Sequence, residues 1–253
     1  MGNYAEKLSD LKLAPEVLKE FSIFLDGLSA KMADDDFKCF VLYGDVLKDD
    51  FSLENSPVNM LIIASEVGVA LLEKIQPAAG RAISEIRLEP LVVTYEEMVL
   101  SADVFPVKYL EIKKNYRILE GDDLIAGFDI PAENIRLHCE QEMRGFSLKL
   151  RSDFLACYPD AGRLCNTLLR YIPDLLSLVK FFAEFTSGQS FPKVADALIH
   201  LKSRFGISSD PLSELINIRK NQTPPAAAEL KATYGRLIEF MNALTKLAES
   251  SGE

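Results

Sequence analysis

The carboxylates Asp45, Asp49, Asp50, Glu54 and Glu89 stand in or near a polar connection between two apolar runs, FKCFVLY and VNMLIIA. Carboxylates brought to one edge are the ligands that hard cations such as magnesium prefer. Asp49 and Asp50 are adjacent, so on a helix their side chains diverge by about 100°. A solvated acidic helix end therefore competes with a metal site there. Glu89 reads equally well as the outward residue of an edge strand. Arg136, Glu140, Arg144, Ser147 and Arg151 form a polar line along one helical pattern. Arg136, Glu140 and Arg144 are an i,i+4 chain that stabilises a helix surface; the alternative is that Arg144 and Arg151 bind an anion. The 4 cysteines, Cys39, Cys139, Cys157 and Cys165, form no CxxC pair and sit at apolar positions, as buried free thiols do. His138 and His200 are far apart and belong to no HxxxH or HExxH pattern. Glycine-rich dinucleotide, P-loop and nucleophile-elbow motifs are absent.

The elements that must position these groups follow from periodicity. Val17, Phe21, Phe24 and Leu28 predict an amphipathic helix over Pro15–Lys31, closed by the acidic run Asp34-Asp35-Asp36. Phe37–Tyr43 and Pro57–Ala64 predict strands buried on both faces. Gly44 ends the first, and the connection Asp45–Ser56 opens with a short helical pattern, DVLKDDF. Glu66–Ile83 predicts a helix whose buried face carries Val69, Leu72 and Ile75, with Pro77 and Gly80 as possible breaks. Ile86–Thr94 predicts a third strand, placed at an edge or a bulge by Pro90. Thr94 and Glu97 form a capping box for a short helix over Tyr95–Ser101. Phe105–Phe128 reads as one or two short extended pieces.

From Pro131 onward every segment is helical in pattern. Ala132–Cys157 carries the stripe Ile135, Cys139, Met143, Phe146, Leu150 and Phe154. Ala161–Phe185 is apolar over more than half its circumference, which predicts a central position in a bundle, with Pro173 as a site for a kink. Phe191–Phe205, Pro211–Lys220 and Ala226–Glu249 are further helices, the last two separated by Pro224-Pro225. The expected division is an α/β domain over residues 1–129 and a helical bundle over 130–253.

The net charge of −10 over 253 residues argues against non-specific nucleic-acid binding, which needs a basic surface. The N-terminal sequence has neither a signal pattern nor a myristoylation pattern, and no apolar run is long enough to span a membrane, so a cytoplasmic location without membrane association is expected.

The order helix, strand ending in glycine, polar loop, strand, helix, strand resembles the nucleotidyltransferase fold of the DNA polymerase beta superfamily. In that family a Gly-Ser turn follows the first strand and Asp-x-Asp opens the second, while a third acid comes from a later strand. The matching positions are Gly44-Asp45, Pro57-x-Asn59 and Glu89. Two acids at i and i+2 on a strand share a face and can hold two magnesium ions around nucleotide phosphates. Here Pro57 has no ligand atom and Asn59 has only an amide oxygen. Asp45 replaces the phosphate-holding serine with an anion.

The resemblance thus implies an α+β protein with a nucleotidyltransferase-like N-terminal domain, a C-terminal helical bundle and a degenerate catalytic site. Glu89 is its surviving acid, and Gly44 and Asp45 form its nucleotide-binding turn. Three functions remain open. The first is an inactive, cofactor-free binding or interaction module. The second is an active transferase in which Asp49, Asp50 or Glu89 holds magnesium. The third is a regulator that docks a protein partner through the bundle.

Overall fold

The computed structural model describes residues 4–33, 35–49, 51–221 and 225–250. Asp34, Asp50 and Pro224, singled out in the sequence, lie outside these residues. Two compact units comprise Met1–Pro131 and Ala132–Glu253.

In the first unit, helices α1 (Tyr4–Lys7) and α2 (Pro15–Ser29) precede strand β1 (Phe37–Tyr43). A single 3-10 turn, Gly44–Leu47, follows it. Then come β2 (Val58–Ala64), α3 (Val69–Ile86), β3 (Leu88–Thr94), α4 (Tyr95–Leu100), α5 (Pro106–Lys114) and β4 (Tyr116–Gly121). The sheet order is β3-β2-β1-β4. β1 runs antiparallel to both β2 and β4, whereas β2 and β3 are parallel and joined through α3. β1 and β2 are the two inner strands, which is why their sequences are apolar on both faces. Pro90 lies in edge strand β3, where its missing N–H costs no ladder bond.

One sheet face, with Phe40, Leu42, Met60 and Ile62, packs against α2 and α3 through Phe21, Phe24, Leu28, Ile75 and Ala79. α3 buries Leu71, Ile75, Ala79, Ala82 and Ile86 rather than the face read from Val69 and Leu72. Val69 is 72% exposed and Leu72 46%. The reason is close helix approach: a Cβ placed on Gly27 of α2 would stand 3.2 Å from the Ala78 Cβ. Small side chains line that contact, and hydrophobicity alone selects larger ones. α3 also runs uninterrupted through Pro77 and Gly80. Pro77 and Glu73 are both exposed, so the carbonyl that Pro77 leaves without a donor can be hydrated.

Two further expectations are corrected. The helical pattern DVLKDDF is realised only as far as the 3-10 turn ending at Leu47: Lys48 is extended, with φ −91 and ψ 149. The segment expected to be extended from Phe105 contains α5, begun by Pro106 at its first turn. The capping box of α4 is present, with Glu97 N donating to Thr94 Oγ1 and Thr94 N donating to Glu97 Oε2.

The second unit contains α6 (Ala132–Cys157), α7 (Ala161–Ser187), α8 (Val194–Phe205), α9 (Asp210–Asn221) and α10 (Ala227–Ser250). α7 contacts each of the other four, which its broad apolar surface anticipates. The fold is therefore α+β, a mixed four-stranded sheet in the first unit and helices in the second. Among the described residues no helix is long and apolar enough to cross a membrane.

Candidate functional site

The site is built where β1 ends and β2 begins. Gly44 has φ +83, a left-handed conformation that glycine adopts without strain. Asn115, just before β4, brackets it: Gly44 N donates to the Asn115 carbonyl at 2.9 Å, and Asn115 Nδ2 donates to the Gly44 carbonyl at 2.9 Å. A Cβ on Gly44 would lie 3.5 Å from Asn59 Nδ2, so the glycine turn and the second strand meet at Asn59.

Asn59 is paired with Tyr43 on β1 and with Glu89 on β3. Paired residues share a sheet face, and alternation along each strand sends Leu42 and Met60 into the helix-covered core. Tyr43, Asn59 and Glu89 thus form one level on the opposite face. Asn59 is 8% exposed and makes no side-chain hydrogen bond to another described residue. Glu89 is exposed. Pro57 stands just outside the ladder, since Val58 is the first residue paired with β3. The preceding loop is tied down by Arg87, whose Nη1 donates to the Leu53 carbonyl and, at 3.3 Å, to that of Glu54.

Asp45 does not face a ligand freely. Ser56 Oγ donates to its Oδ2 at 2.8 Å, and Lys48 Nζ donates to its Oδ1 at 2.5 Å. The Lys48 ammonium, followed by the Ser56 hydroxyl, holds the Asp45 carboxyl below the usual carboxylate range. Asp49 instead pairs with Lys12 at 2.6 Å, on the surface. Lys108 Nζ lies 4.9 Å from the centre of the Tyr43 ring and 3.6 Å from Glu111 Oε2. Burial pushes the Tyr43 phenol above its ordinary range, so it remains neutral at physiological pH.

These groups do not fit a two-magnesium centre. Among the described residues, the carboxylate paired in register with Asn59 is Glu89, beside the Asn59 amide and the Tyr43 phenol. Magnesium demands near-octahedral oxygen coordination and favours carboxylates. Among the described residues, no group of three or more His, Cys, Asp or Glu side chains is arranged to hold a metal.

Sequence reasoning brought together Gly44, Asn59 and Glu89, which the structure also joins. It missed Lys108 and Asn115. Asn115 lies 71 residues from Gly44, and nothing in the local pattern around it signals that contact. Arg136 and Arg144 of the α6 line are paired within their own unit, whereas Arg151 is exposed and has no ion pair among the described residues. Arg136 binds Glu133 and Glu140 at 2.7 and 3.1 Å, and Arg144 binds Glu140 at 2.8 Å and also Glu249. Ser147 is buried and donates to the Met143 carbonyl, so it is not part of a polar face. Two surface concavities, one of about 450 Å³ along α2 beside Leu8 and one of about 420 Å³ between α9 and α10, share no residue with the site.

No protein-family model matches the chain, and no curated protein matches it. Among solved structures it is similar to spectinomycin adenyltransferase AAD(9) from Enterococcus faecialis, crystallised with ATP and spectinomycin. The TM-score is 0.50 at 12% identity, over 88% of this chain and 98% of that one. The likeness is one of fold. This chain has a nucleotidyltransferase-like fold, α/β in its first unit and helical in its second.

Proposed function

We propose that this chain is a degenerate member of the DNA polymerase beta-like nucleotidyltransferases, and that it keeps the fold as a binding module without carrying out metal-dependent transfer. The observation that carries the reading is Asn59. The residue is 8% exposed beside the Gly44 turn and stands level with Glu89; its amide makes no side-chain hydrogen bond to a described residue and is open to solvent. An amide that no protein group engages and that solvent can reach is open to hydrogen bonding by a ligand seated at the turn. An amide donates and accepts, so it suits a neutral polar group better than it suits magnesium.

A nucleotide is the first ligand to test, because the structurally similar adenyltransferase was crystallised with ATP. On this reading Gly44 and Asp45 form the turn against the ligand, with the Asp45 charge held by Lys48 and its carboxylate fixed by Ser56. Such a protein has no need of a metal cofactor and would reside in the cytoplasm. Isothermal titration with ATP, with and without magnesium, tests it. Magnesium is expected to add no binding; tight, magnesium-dependent binding would overturn the reading.

Glu89 is the observation that favours the alternative of an active transferase with relocated carboxylates, since it is in register with Asn59. Asp49 gives that alternative little support because it pairs with Lys12 on the surface. Transfer of label from nucleoside triphosphates to a panel of hydroxyl and amine acceptors decides between the two. No transfer is expected.

A further inference from the structure

We infer that α4 and the segment leading into α5 form a docking surface for a protein segment carrying apolar side chains flanked by lysine or arginine. The segment exposes Tyr95, Val99, Leu100, Val104 and Phe105, at 36, 49, 72, 56 and 55%. So many large apolar side chains exposed in so short a stretch mark an interaction site on a soluble protein. Their placement has a simple origin. At about 100° per residue, Met98 points inward and Tyr95, Val99, Glu96 and Leu100 follow one another around the outer arc of α4. Met98 is buried at 1% exposure, in agreement with that projection.

Charge identifies the partner. From Leu88 to Val107 the chain has no lysine or arginine and carries Glu89, Glu96, Glu97 and Asp103. Glu97 is committed to the capping box. Glu96 and Asp103 are exposed and have no ion-pair partner among the described residues. Glu96 sits on the arc between Val99 and Leu100, so any partner covering those side chains approaches a carboxylate. A segment with a basic residue beside its apolar ones satisfies both features, whereas an acidic or purely apolar one leaves a carboxylate desolvated and unpaired. The inference extends the binding-module reading but rests on different residues, so the nucleotide titration and the test below can fail separately.

The test uses the full chain and a labelled amphipathic Leu/Lys peptide, with a Leu/Glu peptide of the same pattern as comparison. Fluorescence anisotropy should show binding of the first only. Val99→Ser with Leu100→Ser, and separately Glu96→Lys with Asp103→Lys, should each weaken it by about tenfold or more. These positions are exposed, and circular dichroism should confirm an unchanged fold. Equal binding of the Leu/Glu peptide, no binding of the Leu/Lys peptide, or binding that neither pair of substitutions weakens would overturn the proposal. So would self-association in sedimentation that Val99→Ser with Leu100→Ser abolishes, because the occupant would then be a second copy. Binding to zwitterionic lipid vesicles that the same substitutions abolish would assign the patch to a membrane and also overturn it.

Discussion

The helical unit and the α/β unit both bury polar side chains, but they bond them differently. In the helical unit Ser147 and Thr245 donate to carbonyls one turn back in their own helices, Met143 and Met241, each at 2.9 Å. Thr233 donates to Glu214 on α9 at 2.7 Å. Each is a local solution that makes burial of a hydroxyl tolerable. Asn59 of the α/β unit, buried to a similar degree, has no such partner among the described residues. Among the described residues the bundle's exception is His200 Nε2, buried without a partner; on the proposed reading Asn59 differs in that its amide reaches solvent beside the Gly44 turn, where a ligand can bond to it. Arg136 and Arg144 are held by carboxylates of their own unit, while Glu89 stands exposed in register with Asn59.

The contrast can be broken first at the packing end. Phe182 of α7 is fully buried, and Phe182→Ala should cost about 3–5 kcal/mol in urea unfolding by loss of burial and cavity formation. At the site, Gly44→Ala should cost about 1–2 kcal/mol, because φ +83 strains a residue with a Cβ. Space is not the obstacle there, since the new Cβ would meet only Asn59 Nδ2 at 3.5 Å.

A paired substitution sharpens the comparison. Thr233→Val removes a hydrogen bond that Glu214 keeps only in part through Arg236, and should lower stability by about 1 kcal/mol. Asn59→Leu should leave stability unchanged or raise it, because no bond is lost. A loss above about 2 kcal/mol would mean that the Asn59 amide is already satisfied.

The smallest effect concerns Asp45. Its carboxyl is depressed in the folded protein, mainly by Lys48 and then by Ser56. Its contribution is therefore present above the unfolded carboxyl range and is lost as pH falls through the folded value. With the two side chains of the ion pair 57% and 48% exposed, that contribution should stay below about 1 kcal/mol. Asp45→Asn should lower stability at neutral pH by up to that amount and leave the acid end of the profile nearly unchanged, so that the acid limb flattens.

How far the chain could be read from sequence depended on the range of the interaction. β1 ends at Tyr43 because the apolar run meets a glycine, and the α4 capping box is spelled out by Thr94 and Glu97; both are local signals. α5 escaped because it is short and buries little beyond Tyr109 and Ile112, so it shows no clear period. The α3 face was misassigned because the helix packs through Ala79 and Ala82, which hydrophobicity ranks below the exposed Val69 and Leu72. At the site, the motif resemblance singled out Asn59 and Glu89, and the strand register pairs the two. The locks on Asp45 and Gly44 depend on Ser56 and Asn115, contacts that only the folded chain creates.

The central claim is that the site no longer holds metal. A titration with manganese as a paramagnetic substitute for magnesium, followed by electron paramagnetic resonance with ATP present, tests it most directly. The account predicts that wild-type protein takes up no manganese beyond that bound by ATP itself. A stoichiometric protein site that disappears in Glu89→Gln would contradict it.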